Sequence, residues 1–166
     1  MRIALLALLA ACGSDDVDLT GLYRVDSAIG SEPCGSDATI EHPPFVQFAE
    51  MELFGTPYFG YAGCTDETAT DCESIGGLIG GFFEPIDNGW LGRSSFSSGG
   101  GGGECLLGIV RQTALLRGAS LTIEASGYEE LAVGLTEEQC SPDEAEQRGE
   151  AMPCVKHSLV EATKLD

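Results

Sequence analysis

The sequence contains few basic residues, and this scarcity disfavours several kinds of partner. It has 8 Lys and Arg against 27 Asp and Glu, which gives a formal net charge of −19. Nucleic-acid binding depends on clustered Lys and Arg side chains that neutralise phosphates, and docking on anionic lipid headgroups depends on the same cations. The composition therefore predicts no nucleic-acid partner, and solubility at a cell surface explains most of the acidic charge.

The motifs of common catalytic, metal and phosphate sites are missing as well. No Gly-x-Ser-x-Gly elbow supports a serine-hydrolase triad. No Cys-x-x-Cys pair occurs, and the sequence has only 2 histidines, His42 and His157. A zinc site is therefore not expected. The glycines of residues 99–103 are followed by Glu104 and Cys105, not by the Lys-Ser/Thr of a phosphate-binding loop. No catalytic residue, metal or dissociable cofactor is therefore predicted.

The apolar run at the start of the sequence, Ile3 to Ala11, is about half as long as a membrane-spanning helix. It follows Arg2, and a basic residue before a short apolar run is typical of a secretory signal. The run ends in Leu9-Ala10-Ala11-Cys12, which resembles the lipobox of bacterial lipoproteins. The resemblance implies cleavage before Cys12, a diacylglyceryl group on its sulfur and acylation of its new amino group. The alternative is an ordinary signal peptide in which Cys12 is an incidental thiol.

The lipobox resemblance implies a division of the chain and a place for it in the cell. Residues 1–11 are a lipoprotein signal peptide, residues 12–18 the lipidated Cys12 and a flexible tether, and residues 19–166 a single β domain. Three acyl chains exceed what stable membrane attachment needs, so the lipid bilayer is the first expected partner. The expected location is the bacterial cell envelope. Gly13, where an Asp would signal inner-membrane retention in enteric lipoproteins, favours the outer membrane.

The chain has 7 cysteines, and lipidation of Cys12 would leave an even number for disulfides. Six cysteines in an oxidising compartment predict three disulfides, for which fifteen connectivities are possible. We expect one bond to clasp an acidic loop and one to clasp a short helix, and the third follows by subtraction. The expected pairs are Cys64–Cys72, Cys140–Cys154 and Cys34–Cys105.

The apolar patterning predicts an all-β domain with little helix. Short apolar or alternating runs are separated by glycine, proline and polar turn residues, and no alternation of strands with helices is present. This pattern predicts an antiparallel up-and-down barrel of about eight strands, or a sandwich. The candidate strands are residues 19–25, 45–54, 58–61, 75–85, 90–96, 106–116, 120–126 and 155–163.

Local sequence patterns predict two hairpins and one helix. Asp87-Asn88-Gly89 predicts a type I′ turn, because Asn and Gly tolerate the positive φ angles that it needs. Arg117-Gly118-Ala119 predicts a second hairpin. Ser141 followed by Pro142 and Glu144 predicts a helix N-terminus with a capping box, and the helix should end near Gly149.

Two short resemblances give the fold a possible family. The lipobox, the acidic tether and residues 19–25 resemble small secreted lipoproteins of bacteria. Gly21-x-Tyr23 is similar to the Gly-x-Trp motif in the first strand of lipocalins, with Tyr in place of Trp. The lipocalin-like resemblance implies a barrel that binds a small apolar molecule.

Two classes of function fit these observations. The first is a non-enzymatic envelope lipoprotein that contacts another envelope protein or binds a small apolar ligand. The second is an extracytoplasmic carboxylate-based hydrolase, for which Glu50 and Glu52 on one strand face are the candidate acid and base. The many aromatic residues are expected in the core, although they could line a ligand pocket. Four carboxylates at the loop flanked by Cys64 and Cys72 could gather calcium, although the EF-hand spacing is missing: Asp66, Glu67, Asp71 and Glu73.

Overall fold

The computed structural model describes residues 17–74, 81–99 and 103–165. These residues form ten strands and one α-helix, α1, which spans Pro142–Arg148 and continues into a 3-10 turn at Gly149–Ala151. Within the described ranges, no helix combines the length and the apolar character needed to cross a bilayer. The strands are β1 Gly21–Ser31, β2 Ala38–Thr39, β3 Phe45–Leu53, β4 Thr56–Cys64, β5 Cys72–Ser74, β6 Glu84–Ile86, β7 Gly89–Gly99, β8 Glu104–Arg117, β9 Ser120–Val133 and β10 Cys154–Lys164.

The strands form one antiparallel sheet in which neighbours in space are mostly neighbours in sequence. Its order is β5-β4-β3-β1-β10-β9-β8-β7-β6, and β2 pairs with β1 at the side. The sheet curls into a half-barrel, and a bridge between Phe59 and Phe82 connects β4 with the residues just ahead of β6. The prediction of an antiparallel all-β fold with one short helix near the C-terminus is confirmed. The sandwich alternative is wrong, because the strands share a single sheet.

The sequence pattern located the long strands but missed two short ones. Each predicted strand overlaps one of β1, β3, β4, β6, β7, β8, β9 and β10, although residues 75–80 of the fourth prediction lie outside the described residues. The unpredicted strands β2 and β5 lie in stretches that read as loops. Strand β5 is short and polar, and it forms where Cys72 pairs across the sheet with Cys64.

The half-barrel has two ends that differ in chemistry. Val17 lies at one end with the turns at Phe54, Asn88 and Gly118, since β1 and β3 run antiparallel and Gly21 pairs with Phe48. Backbone hydrogen bonds join the β6–β7 turn to β8 and the β8–β9 turn to the end of β10 at this same end. We call it the Val17 end, and we call the opposite end, which carries the disulfides, the disulfide end.

Aromatic rings fill the concave face near the Val17 end. Phe48 contacts Phe82 with ring centroids 5.7 Å apart, and Phe59 meets Trp90 edge to face at 5.0 Å. The indole N–H of Trp90 donates to the backbone oxygen of Val17 at 2.6 Å. Val17 therefore packs on the core, whereas the sequence predicts a flexible tether over residues 12–18. The rings contact one another, as expected of core residues rather than of an open pocket.

Tyr23 closes this end of the core beneath the chain that enters it. Its side chain is fully buried, and its hydroxyl donates to the backbone oxygen of Leu19 at 2.8 Å. Burial, followed by the charge of Asp18, raises the pKa of Tyr23 to about 12. The Lys164 ammonium lies 5.7 Å from the centre of the ring, a cation–π distance. The first and last strands thus meet over one aromatic side chain.

Helix α1 begins where its capping residues predict. The Ser141 hydroxyl accepts the backbone N–H of Glu144 at 3.3 Å, and Ala145 is buried on the sheet side. The predicted cap is confirmed, but the reciprocal half of the capping box is wrong. The Glu144 carboxylate binds Arg148 one turn later, and the Ser141 N–H donates to the backbone oxygen of Gln139.

The β6–β7 turn forms at the predicted place, but the prediction of a type I′ turn is wrong, because Asn88 alone of Asp87, Asn88 and Gly89 has a positive φ. Ile86 pairs with Gly89, so the two-residue loop is Asp87–Asn88, and Asn88 has φ 62° while Gly89 belongs to β7. Gly89 is needed for a different reason, because a Cβ there would lie 2.0 Å from the backbone oxygen of Ala114. The β8–β9 turn is confirmed, with Gly118 at φ 62°.

Three disulfides join the six cysteines of the described residues, and two of the three pairings differ from expectation. Cys64–Cys72 is confirmed. Cys34 follows β1 and Cys154 opens β10, so these cysteines meet because the first and last strands are neighbours. Cys140 precedes α1, which packs on β8 near its start, where Cys105 lies. The predicted pairs Cys140–Cys154 and Cys34–Cys105 are therefore wrong.

We predict that the disulfides contribute to stability in the order of the loops that they close. The sequence separations are 120 for Cys34–Cys154, 35 for Cys105–Cys140 and 8 for Cys64–Cys72. Loop-closure entropy gives contributions of about 5, about 4 and about 2.6 kcal/mol respectively. Denaturant unfolding of the three paired Cys→Ala variants measures this order, with non-reducing peptide mapping to establish the bonds. A larger loss for the Cys64–Cys72 variant than for the Cys34–Cys154 variant would contradict the prediction.

Candidate functional site: the cleft beside the short helix

A polar cleft lies between α1 and the sheet, and we take it as the candidate site. It has two parts, of about 550 and about 280 Å³, which share Arg111 and Glu150. The larger part is bounded by β7, β8, α1 and the 3-10 turn, with Arg93 and Glu146 on its walls. The smaller part extends across β8 and β9, where it is lined by Glu124, Ser126 and Tyr128.

The strand register places two arginines side by side in this cleft. Arg93 on β7 pairs with Arg111 on β8, so both guanidinium groups leave the same face of the sheet. Like charges directly opposite each other in a sheet are destabilising. Glu150 offsets this repulsion, since its carboxylate lies 2.9 Å from Arg111, and Glu146 accepts a hydrogen bond from Ser95 at 3.2 Å. The cleft can therefore hydrogen-bond a polar ligand with groups of either charge.

Arg148 ties the helix to the sheet beside the cleft. Its guanidinium binds Glu144 within the helix at 2.9 Å and Glu130 on β9 at 3.0 Å. The hydrogen bond that Arg148 donates to Glu144, followed by the one that it donates to Glu130, raises the pKa of Arg148. The helix is thus held in place by its own charge pairs, and the cleft has a fixed wall.

A histidine cluster lies on the same outer face, one strand beyond the cleft. His157 on β10 pairs in register with Ser126 on β9, which lines the cleft. Nδ1 of His157 lies 3.2 Å from the Asp37 carboxylate and Nε2 lies 3.4 Å from that of Glu124. The Ser31 hydroxyl donates to Asp37 at 2.7 Å. The hydrogen bond with Asp37 is the main cause that raises the pKa of His157, and Glu124 adds to it.

The carboxylates named from the sequence lie away from this cleft. Glu50 and Glu52 are exposed near the tip of the β3–β4 hairpin, so they lack the burial that a general acid needs. In the loop closed by Cys64–Cys72, Asp66 accepts hydrogen bonds from Thr68, Thr70 and the Asp71 N–H. The hydrogen bonds from Thr68, followed by those from Thr70, lower the pKa of Asp66. Within the described residues, no group of three or more His, Cys, Asp or Glu could hold a metal ion.

One site predicted from the sequence lies outside the described residues, and two features of the structure were not predicted from the sequence. Cys12 and its lipobox lie outside the described residues, so lipidation stays a prediction. The cleft and the histidine cluster could not be found from the sequence. The only local signal is the polar character of the alternate residues Glu124 and Ser126, and Asp37 and His157 are 120 residues apart.

Comparison with known proteins gives no relative from which a function could be transferred. No protein-family model, no curated protein and no solved structure matches the chain.

The histidine cluster predicts a pH-dependent stability. Since the folded pKa of His157 is raised, its contribution is complete below its unfolded value of about 6.5 and is lost as the pH rises through the folded pKa. Asp37 sets the acid limit, because its lowered pKa makes its contribution fade as the pH falls. The Tm deficit of His157→Gln should therefore be larger at about pH 5.5 than at about pH 8.5.

Thermal unfolding of wild type and variant at both pH values measures this difference. His42→Gln is the matched control, because the His42 ring contacts the backbone oxygen of Pro43 and has no carboxylate partner within the described ranges. A His157→Gln deficit that stays constant across the two pH values would show that the cluster does not stabilise the charged histidine.

Proposed function

We propose that the chain is a lipid-anchored, non-enzymatic protein of the bacterial cell envelope that acts by binding. The cysteine pairing carries this proposal. The three disulfides use every cysteine in the described residues, and the seventh, Cys12, is the one that completes the lipobox resemblance. A chain that leaves an odd thiol in an oxidising compartment has a use for it. Lipidation supplies that use.

Interaction with another envelope protein is the form of binding that the surface favours. The rings on the concave face pack against one another, and the cleft is lined by charged and hydroxyl groups. Both features support contacts at the outer surface rather than storage of an apolar molecule within the sheet. Binding of a small apolar ligand, implied by the lipocalin-like Gly21-x-Tyr23, is the second candidate, and the curled half-barrel shape of the sheet favours it.

The hydrolase alternative lacks support at the residues named for it. Glu50 and Glu52 are both exposed, and a carboxylate pair in that setting has no apolar environment to separate its acid and base roles. Native mass spectrometry of protein taken from its own membrane separates the two binding forms. A co-purifying protein supports interaction, whereas a retained small apolar molecule supports the lipocalin-like role.

We predict that the mature protein begins at Cys12 and carries three acyl chains. Cys12→Ser should abolish lipidation, because the thioether cannot form, and should move the protein from the membrane fraction to the soluble extracytoplasmic fraction. Intact mass spectrometry and membrane fractionation measure the two results.

Ser14→Ala is the matched control for Cys12→Ser, since it lies beside the lipobox without changing it. The control should keep the acyl chains and the membrane location. Membrane retention of Cys12→Ser equal to that of Ser14→Ala would overturn the anchor.

A further inference from the structure

The β3–β4 hairpin extends beyond its pairing with β1. Strand β1 pairs with β3 only from Phe45 to Phe48, and on the other side the chain at Phe82 meets β4 at Phe59. No other strand pairs with residues 49–57 within the described residues, and we call this part of the hairpin the arm. Phe54 lies six residues beyond Phe48, which at about 3.3 Å per residue places it about 20 Å past the start of β1.

The tip of the arm is apolar and uncovered. Phe54 is 98 % exposed and Met51 is 49 % exposed, and Leu53 lies between them. The alternation of the strand puts Met51 and Leu53 on one face and Glu50 and Glu52 on the other. A wholly exposed phenylalanine at the end of an amphipathic projection gains nothing from the fold, so its use lies in contact with something else.

The backbone conformation at the tip also indicates that Phe54 serves a contact with another molecule. Phe54 has φ 51° and Gly55 has φ 82°, the left-handed region that a two-residue hairpin turn demands. Asn, Asp or Gly fill the first of these positions with little strain, whereas a bulky aromatic residue there is uncommon. Phe54 is thus a residue type that this turn position disfavours. Residues that conflict with their local backbone conformation concentrate at functional positions.

The arm points in the direction from which the N-terminal chain enters the sheet. Since β1 and β3 are antiparallel, the chain before Gly21 continues in the same direction as the chain after Phe48. Val17 remains at this end, held by the indole of Trp90. Cys12 precedes Val17 by five residues, a span of about 18 Å at most. An anchor on Cys12 therefore holds the Val17 end, and the arm with it, against the membrane.

We propose that the arm inserts Phe54 and Leu53 into the interface of the bilayer that holds the Cys12 anchor. The proposal rests on the proposed lipidation. The reach of the arm, about 20 Å, is similar to that of the chain from Val17 to Cys12, so both can meet the same surface. The occupant is a lipid surface of low negative charge, because Glu50 and Glu52 and the net charge of −19 oppose anionic headgroups.

Tryptophan substitution tests the insertion in the acylated full-length mature protein. Phe54→Trp places a reporter at the tip, and Val133→Trp places one at the disulfide end, where Val133 is 75 % exposed and pairs with Glu104. Both proteins are reconstituted into vesicles of phosphatidylethanolamine and phosphatidylcholine, with or without brominated acyl chains. Native Trp90 is buried and gives both variants the same background.

The expected result is a blue-shifted emission for Phe54→Trp and a loss of its fluorescence in brominated vesicles, with neither change for Val133→Trp. Equal quenching of the two variants would overturn the proposal. So would shielding of Phe54→Trp from aqueous iodide without quenching by brominated lipid, since a second copy or another protein would then cover the tip. Intact mass of the same samples distinguishes failure of the two proposals. Acylated protein without quenching would overturn the insertion of the arm alone, and unacylated protein would overturn the lipidation of Cys12.

Phe54→Asn separates a membrane role from a structural one. Asparagine suits the left-handed turn position, so the variant should unfold at the same temperature as wild type or at a higher one. It should also lose the protection of residues 49–57 from hydrogen exchange that vesicles give the wild-type protein. A lower unfolding temperature for Phe54→Asn, with vesicle protection unchanged, would show that Phe54 serves the fold.

Discussion

The pairing of β1 with β10 is the constraint on which the rest of the structure depends. It joins the first long strand to the last one over residues 23–31, and β1 in turn holds β3. A bulge at Asp26 interrupts the register, and bulges increase strand twist, so the sheet curls at this seam. The Asp26 carboxylate accepts the Thr163 hydroxyl at 2.6 Å, and Cys34–Cys154 locks the far end of the seam. Contacts between distant parts of the chain dominate, a feature of slow folding.

The two ends of the half-barrel are closed by different physical means. At the disulfide end the loops are polar and covalent bonds hold them, and the Asp66 carboxylate organises one loop through its own hydrogen bonds. At the Val17 end, burial of side chains holds the entering chain in place, and Leu19 and Tyr23 are fully buried there. A reducing environment would therefore loosen one end first, while the aromatic core and the entry point of the chain would keep their packing.

The sequence was sufficient to predict the long strands and the helix. It was insufficient to predict which elements distant in sequence contact one another. Alternation and turn residues predicted the long strands and the Ser141 cap, because both depend on interactions within a few residues. The positive φ of Asn88 was predicted correctly, but the role of Gly89 depends on Ala114, which is distant in sequence. The pairing of Cys34 with Cys154, the cluster around His157 and the cleft all depend on which strands are neighbours. Spacing along one chain does not contain that information.

Charge explains why the membrane attachment that we propose would depend on apolar groups in this protein. Several of its few cations are engaged locally: Arg111 with Glu150, Arg148 with two glutamates, and Lys156 with Glu32. The outer surface therefore has little positive charge to offer to lipid phosphates, and the unpaired carboxylates repel them. The proposed acyl chains and the exposed Phe54 would gain free energy from burial alone, independent of headgroup charge. An acidic domain with an apolar tip at the end where its chain enters can thus orient on a bilayer, with its cleft left open to partners.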